Sequence, residues 1–230
     1  MKVVKKNLTA IILCGGKGER LRPITNNLPK PLIEIKNKPI LYYIIEHLKK
    51  YGIEQYIIAT GYKSLKIEEY MGIEFKELKY KIVDSGDTDI LSRVKACMEQ
   101  ISNDSILCYG DTISDINIDD FIKFHNYDPR NITISSYPIK IPFGVMTIDE
   151  NNFVREFEEK PILNEVMNIG YYYLPRKHNS FINEQKNLLS LIDILIKNNQ
   201  LKCYQHNGIH ITINTIAELN YAEDNIEKIL

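Results

Sequence analysis

Apolar residues follow two rhythms along this chain. "LTAIILC", "QYIIATGY" and "SILCYGD" are short continuous runs, rich in β-branched residues, that stop at glycine or aspartate. Strands buried on both faces read this way. Between them the spacing changes. Leu41, Ile44, Ile45 and Leu48 share one face of a helix predicted over Pro39–Tyr51, with Pro39 at its start and Gly52 placed to cap it. "KSLKIEEYMG" predicts a short helix closed by Gly72, and "KYKIVDSGD" a strand running into a loop. Asp89–Ile101 predicts a helix with Ile90, Val94, Cys97 and Ile101 in line. Strands alternating with helices imply an α/β fold with a mostly parallel, doubly covered sheet. Ligands of such sheets sit beyond the carboxyl ends of the strands. Gly15–Arg20, Gly86–Asp89 and Gly110–Asp111 should therefore meet.

The second half is richer in strands. "NITISSYPI", "GVMTIDE", "FVREFEEK", "MNIGYYYLP" and "LKCYQH" are strand-like, with Asn151–Asn152 a hairpin turn. Leu188–Lys197 and Thr215–Leu230 are helical in pattern, and Thr215 with Glu218 predicts a capping box. No repeat or low-complexity linker interrupts the chain. One domain is expected, with a nucleotide-binding half over about 8–130 and an acceptor-binding half over about 131–230.

Composition narrows the class. The 230 residues are 26% charged with a formal net charge of −1, which argues against a general nucleic-acid binder. No run approaches the ~18 apolar residues of a membrane span. The basic opening "MKVVKK" leads only into the short run Ala10–Cys14, below the ~7–15 residues of a signal core. Cys14, Cys97, Cys108 and Cys203 lack CxxC spacing and sit among apolar neighbours, so all four are expected to be buried free thiols in a reducing compartment. These features predict a cytoplasmic protein. The five histidines form no i, i+4 pair and suggest no zinc site.

The chemistry gathers in "AIILCGGKGERLRPITNNLPKPL". A glycine loop after a strand presents backbone N–H groups to an anion and lets the chain approach phosphates closely. The loop lacks the third glycine of a dinucleotide fingerprint, and it is not G-x-x-x-x-G-K-[ST]. Pro23 and Pro29 forbid an ordinary continuing helix. It does supply cations: Arg20, a bidentate phosphate ligand by type, and Lys30, stiffened between Pro29 and Pro31. Phosphoryl chemistry, which is mostly positioning and charge neutralisation, suits that arrangement.

"GGKGERLRPITNNLPKPLIEIKNKPILYYIIEHL" resembles the opening signature of the sugar-1-phosphate nucleotidyltransferases, G-G-x-G-T-R-L, then P-K-P-[LM], then K-P-[IL]. "TGYKSLKIEEYM", "VDSGDTDILSRVK" and "LCYGDTISDINID" are most similar to the glucose-1-phosphate cytidylyltransferase group, while "FEEKP" and "NIGYYYL" match wider elements of the superfamily. The resemblance covers nearly the whole chain and implies a Rossmann-like, mixed sheet of nucleotidyltransferase type.

It also implies roles. Leu13, Cys14, Gly15, Gly16 and Gly18 wrap the base and triphosphate, with Glu19 beside them. Arg20 binds the leaving pyrophosphate and Lys30 steadies the α-phosphate. Gly86 and Thr88 read the base. Gly110 leads into Asp111, a ligand of Mg²⁺. Gly144, Glu159, Lys160 and Asn168 hold the acceptor. Cys14, on its own chemistry, reads as core. Two residues depart from the pattern: Glu19 stands at the usual threonine, and Asn214 at a metal-binding aspartate, which should weaken Mg²⁺ binding unless the phosphates or another acid such as Asp84 compensate.

The implied partners are an NTP, CTP by preference, and a small phosphorylated acceptor such as a sugar 1-phosphate, in surface or capsule polysaccharide precursor synthesis. No nucleic-acid or membrane partner is expected; a homo-oligomer is admitted. Guanylyl transfer to a heptose 1-phosphate stays open, as does cytidylyl transfer to a non-sugar phosphate or phosphoramidate such as phosphoglutamine. So does a non-catalytic, nucleotide-binding regulatory subunit.

Overall fold

The computed structural model describes residues 8–229. The basic opening and Leu230, where the last predicted helix ends, lie outside them.

The elements run in chain order as β1 (Leu8–Leu13), the two-residue strands β2 (Glu34–Ile35) and β3 (Lys38–Pro39), α1 (Ile40–Lys50), β4 (Gln55–Thr60), α2 (Ser64–Glu74), β5 (Lys79–Asp84), α3 (Ile90–Met98) and β6 (Asp104–Tyr109). The chain continues through β7 (Thr112–Ser114), α4 (Ile118–Asn126), β8 (Ile132–Lys140), β9 (Val145–Ile148), β10 (Val154–Glu158) and β11 (Ile162–Leu174). It closes with α5 (Asn179–Glu184), α6 (Leu188–Lys197), β12 (Leu201–Gln205), β13 (His210–Thr212) and α7 (Ile216–Asn225).

Seven strands form one sheet in the order β12-β8-β11-β6-β1-β4-β5. β11 is antiparallel to both neighbours, while the other pairings are parallel. The strand period of two sends alternate side chains to opposite faces. Ile12, Ile58, Ile106 and Cys108 join the layer of α1, α2, α4 and α7, whereas Ile11, Ile57 and Leu107 join that of α3, α5 and α6. Continuous apolar strands were legible for this reason: both faces are covered. β9 and β10 form a separate antiparallel hairpin.

Several local expectations are corrected. α2 runs through Gly72 to Glu74, and the Phe75 N–H still bonds to the Met71 carbonyl. The buried Phe75 holds that last turn down, and Gly72 sits in the helix interior. α3 stops at Met98, and its buried stripe is Leu91, Val94, Cys97 and Met98, with Ile90 42% exposed. The capping box of α7 is half formed. Thr215 accepts from the Glu218 N–H, but the Glu218 carboxylate takes the N–H of Asn214, one residue before the cap. The helix ends at Asn225 and passes into a 3₁₀ turn. Cys14, Cys97 and Cys108 are buried free thiols; Cys203 is exposed, because the edge strand β12 is covered less fully. α4 was not foreseen. Its N-cap is Asn117, which accepts from the Asp120 N–H.

Register sets the site. Leu13 lies level with Ala59 on one side and Tyr109 on the other, so β1, β4 and β6 end together. Cross-bonds lock those ends: Cys14 N to Ala59 O at 2.7 Å, Gly110 N to Leu13 O at 3.0 Å, and Tyr62 N to Gly15 O at 3.2 Å. A Cβ at Gly110 would collide with the Leu13 carbonyl oxygen, which fixes glycine there. Past β6, the pairing of β7 with β13 brings Ile213 N within 3.2 Å of Asp111 O and carries Asn214 to the same edge.

Candidate active site

A cavity of about 620 Å³ opens beyond the ends of β1, β5 and β6. The run from Leu13 to Arg20 lines it, with Lys30 and Pro31, Asp87 and Thr88, Ile90 and Arg93, and Tyr109 to Asp111. The three predicted loops do meet.

The glycine loop is held by its own bonds. Gly18 takes a left-handed φ of 62°, and its carbonyl accepts from Thr25 Oγ1 at 2.9 Å. A Cβ on Gly18 would press on Thr25 and on the stem of Lys30, so that turn and the lysine are packed as one unit. Lys30 starts a 3₁₀ turn after Pro29 and is 8% exposed. Its ammonium donates to Asp111 Oδ2 at 2.5 Å and to Asn214 Oδ1 at 2.8 Å. Arg20 Nη2 donates to the same Asn214 oxygen at 2.7 Å. The Asn214 amide is turned this way by its Nδ2, which donates to Thr212 Oγ1 at 3.2 Å. Arg20, Lys30, Asp111 and Asn214 thus form one cluster.

Glu19 lines the cavity, and its carboxylate accepts from Arg22 Nη2 at 3.1 Å, which offsets the acid beside the loop. Lys17 meets Asp87 at 2.5 Å across the mouth, and that hydrogen bond holds the ammonium's pKa above its ordinary value. Burial pushes the Cys14 thiol far above the thiol range, so it is an inert wall residue. Asp84 is outside the cavity lining, and its Oδ1 accepts from Gly86 N at 2.9 Å.

The sequence reading missed Arg93. This side chain is 5% exposed on α3 and donates to the Thr60 carbonyl, to Ser85 Oγ at 2.8 Å, to Gly86 O at 3.0 Å and to Thr88 O at 3.3 Å. A Cβ at Gly15 or Gly61 would strike it. It fastens the Gly86–Thr88 loop and brings a buried positive charge to the cavity wall. Thr88 lines the cavity, whereas Gly86 faces Arg93. The available signal was an arginine within a buried helical stripe, next to Val94.

The four predicted acceptor residues lie outside the lining of the cavity, around the β9–β10 hairpin and β11. A Cβ at Gly144 would meet Phe157 and Glu159 Oε2. Lys160, exposed and at a left-handed φ of 52°, precedes Pro161, whose carbonyl accepts from Ile141 N at 3.0 Å. Asn168 is fixed at both ends: Nδ2 donates to Tyr172 Oη at 2.5 Å, and Oδ1 accepts from Gly170 N at 2.9 Å. Tyr172 Oη lies 3.3 Å from the hydroxyl of Tyr109, a cavity residue, so a chain of polar groups joins Asn168 to the cavity wall.

As donors to a divalent ion, Asp111 offers one carboxylate and Asn214 one amide oxygen, both hard oxygens on one point. That set fits Mg²⁺ shared with substrate phosphates, the usual way this ion is held, rather than a cage made by protein alone. No helix among the described residues is long and apolar enough to cross a membrane.

A family model described as "Nucleotidyl transferase" matches residues 9–210. The chain is 30% identical to the glucose-1-phosphate cytidylyltransferase of Salmonella typhi, covering 96% of both. It is 33% identical to the D-glycero-alpha-D-manno-heptose 1-phosphate guanylyltransferase of Campylobacter jejuni, covering 78% of this chain and 81% of that one. The solved structure of HddC from Yersinia pseudotuberculosis complexed with GMP-PN superposes with a TM-score of 0.74 at 23% identity, covering 95% of this chain and 99% of that one, a likeness of fold.

Proposed function

Because this chain belongs to the nucleotidyl transferase family, among the sugar-1-phosphate nucleotidyltransferases, we propose that it moves a nucleotidyl group, cytidylyl by preference, from an NTP to a sugar 1-phosphate and releases pyrophosphate. The observation that carries this reading is the convergence of Arg20 and Lys30 on Asp111 and Asn214 beside a glycine-loop cavity.

An acceptor phosphate oxygen attacks the α-phosphorus. The new P–O bond forms as the bond to the pyrophosphate oxygen breaks, and no enzyme-bound intermediate is required. The acceptor phosphate is ionised at neutral pH, so no general base is needed. Two cations that line the cavity, Arg20 and Lys30, offset the charge that develops, the largest service a preorganised site offers such a reaction. Arg20 faces the leaving group and Lys30 the α-phosphate. Asp111, with Asn214, would hold Mg²⁺ against the triphosphate, where the ion neutralises phosphate charge. Gly144, Glu159, Lys160 and Asn168 serve the acceptor, with Lys160 at its phosphate. The product is an activated sugar of the kind consumed in surface-polysaccharide assembly.

The full-length likeness to a cytidylyltransferase supports CTP. The guanylyltransferase relative keeps GTP with a heptose 1-phosphate as the second reading. Thermal unfolding with each NTP, with and without Mg²⁺, separates them. Ligand at about 100 times its Kd adds about 2.7 kcal/mol, a rise of roughly 5–10 °C for a chain this size. A rise with CTP alone, followed by pyrophosphate release with sugar 1-phosphates, supports the first reading. A rise with GTP alone transfers support to the second, and no release with any sugar 1-phosphate overturns both.

A further inference from the structure

In the free protein the position a divalent ion would take at Asp111 is filled by an ammonium. Lys30 Nζ lies 2.5 Å from Asp111 Oδ2 and 2.8 Å from Asn214 Oδ1. The Asn214 oxygen has two lone pairs, and Arg20 takes the second at 2.7 Å. Two cations thus face one carboxylate, and the cluster carries a net positive charge.

The acids nearby offer the ion no second carboxylate: Glu19 is paired with Arg22, and Glu218, though it keeps its charge, spends an oxygen on neutral donors behind Asn214. That oxygen accepts from Asn214 N at 2.7 Å and from Thr215 Oγ1 at 3.2 Å, and Asp84 is bound to Gly86 N. An incoming ion would have to displace at least one N–H donor from the amide and repel two fixed charges, against a single carboxylate.

We infer that Lys30 is the resident counter-cation of Asp111, and that the neutral amide of Asn214 keeps it there, so that the free protein does not take up a divalent ion at this position. An aspartate at 214 would cancel the excess charge and offer free lone pairs. Lys30 itself is packed under the glycine loop, so its ammonium is stationed at Asp111 rather than wandering at the surface. The ion then arrives with the triphosphate, whose oxygens draw Lys30 off Asp111; this last step rests on the nucleotidyl-transfer reading, whereas the first stands on the free protein alone.

Mn²⁺ is the probe, read by water-proton relaxation enhancement, which reports ions bound to a slowly tumbling protein. Wild type without nucleotide is expected to give no enhancement in millimolar Mn²⁺. Lys30→Met and Asn214→Asp should each tighten Mn²⁺ binding by at least about tenfold. Adding Asp111→Asn to either variant should abolish the gain and so locate it. Circular dichroism melts confirm that the variants fold, and either one alone tests the counter-cation. Wild type that binds Mn²⁺ as tightly as Lys30→Met overturns the inference, as does a folded Asn214→Asp without gain. Inorganic tripolyphosphate, which carries no base, should bring Mn²⁺ to wild type. If it does not, and neither CTP nor GTP does, while both variants gain Mn²⁺, the counter-cation stands and the nucleotidyl-transfer reading falls.

Discussion

One guanidinium fastens the ends of two strands to the loop that follows them. Arg93 donates to the end of β4, to Ser85 just past β5 and to the Gly86–Thr88 loop, and none of these acceptors carries a charge. Lysine lacks the planar fork that reaches them together. Arg93→Lys is therefore expected to lower stability by about 2–3 kcal/mol and to weaken NTP binding, checked by denaturant unfolding and by the NTP-induced melting shift. Lys30→Ala and Arg20→Ala should each cut turnover by about 10²–10³-fold with the fold kept, and wild-type rates in both would remove the proposed mechanism. Tyr172→Phe frees one end of Asn168 while keeping the buried ring, so the acceptor KM should rise with the NTP KM unchanged. Glycines and cations of the opening loop were legible because their chemistry is local. Arg93 was not, because periodicity weighs apolar residues and counts a charge as an outward position.

At the scale of elements, the ends of β1 and β6 are the most constrained part of the site. Gly110→Ala must push on the Leu13 backbone, which two neighbouring strands hold, so a loss of about 1–3 kcal/mol is expected in chemical denaturation. Gly72, by contrast, has open space where a Cβ would go and lies inside α2, so Gly72→Ala should stabilise by about 0.5–1 kcal/mol. The contrast shows why glycine alone misled the reading of α2. A sequence records that a residue is glycine, but whether the chain needs it depends on neighbours from elsewhere. The central strands announced themselves by composition. β7 and β13 are three residues each, too short for a period to show, yet their pairing is what carries Asn214 to Asp111.

Across the whole molecule, buried imidazoles couple stability to pH. His125 is 1% exposed, stacked on Tyr173 and bonded to Thr133, and burial lowers its pKa from 6.5 to about 4, with Asp104 opposing in part. His210 is pushed down to about 4 in the same way, and His47 and His178 move in the same direction. The unfolded chain binds more protons between those values, so this stability is complete above about pH 6.5 and is lost as pH falls toward 4. His125→Phe keeps a ring and removes one titration. The decline in stability from about pH 6.5 to about pH 5 should become shallower by on the order of 1 kcal/mol, read from denaturant curves at each pH.

The antiparallel strand β11 has a consequence for how this protein is made. It enters between β6 and β8, and so joins Tyr109 to Tyr172, 63 residues later. On the ribosome, the glycine loop, Lys30 and Asp111 all emerge while β6 still has a bare edge, and an unpaired edge is an invitation to other chains. Nascent chains stalled before β11 should remain sensitive to protease, and those stalled well beyond it should not. The glycine loop and the Gly110–Asp111 turn are thus synthesised early and shaped late, when β11 closes the sheet behind them.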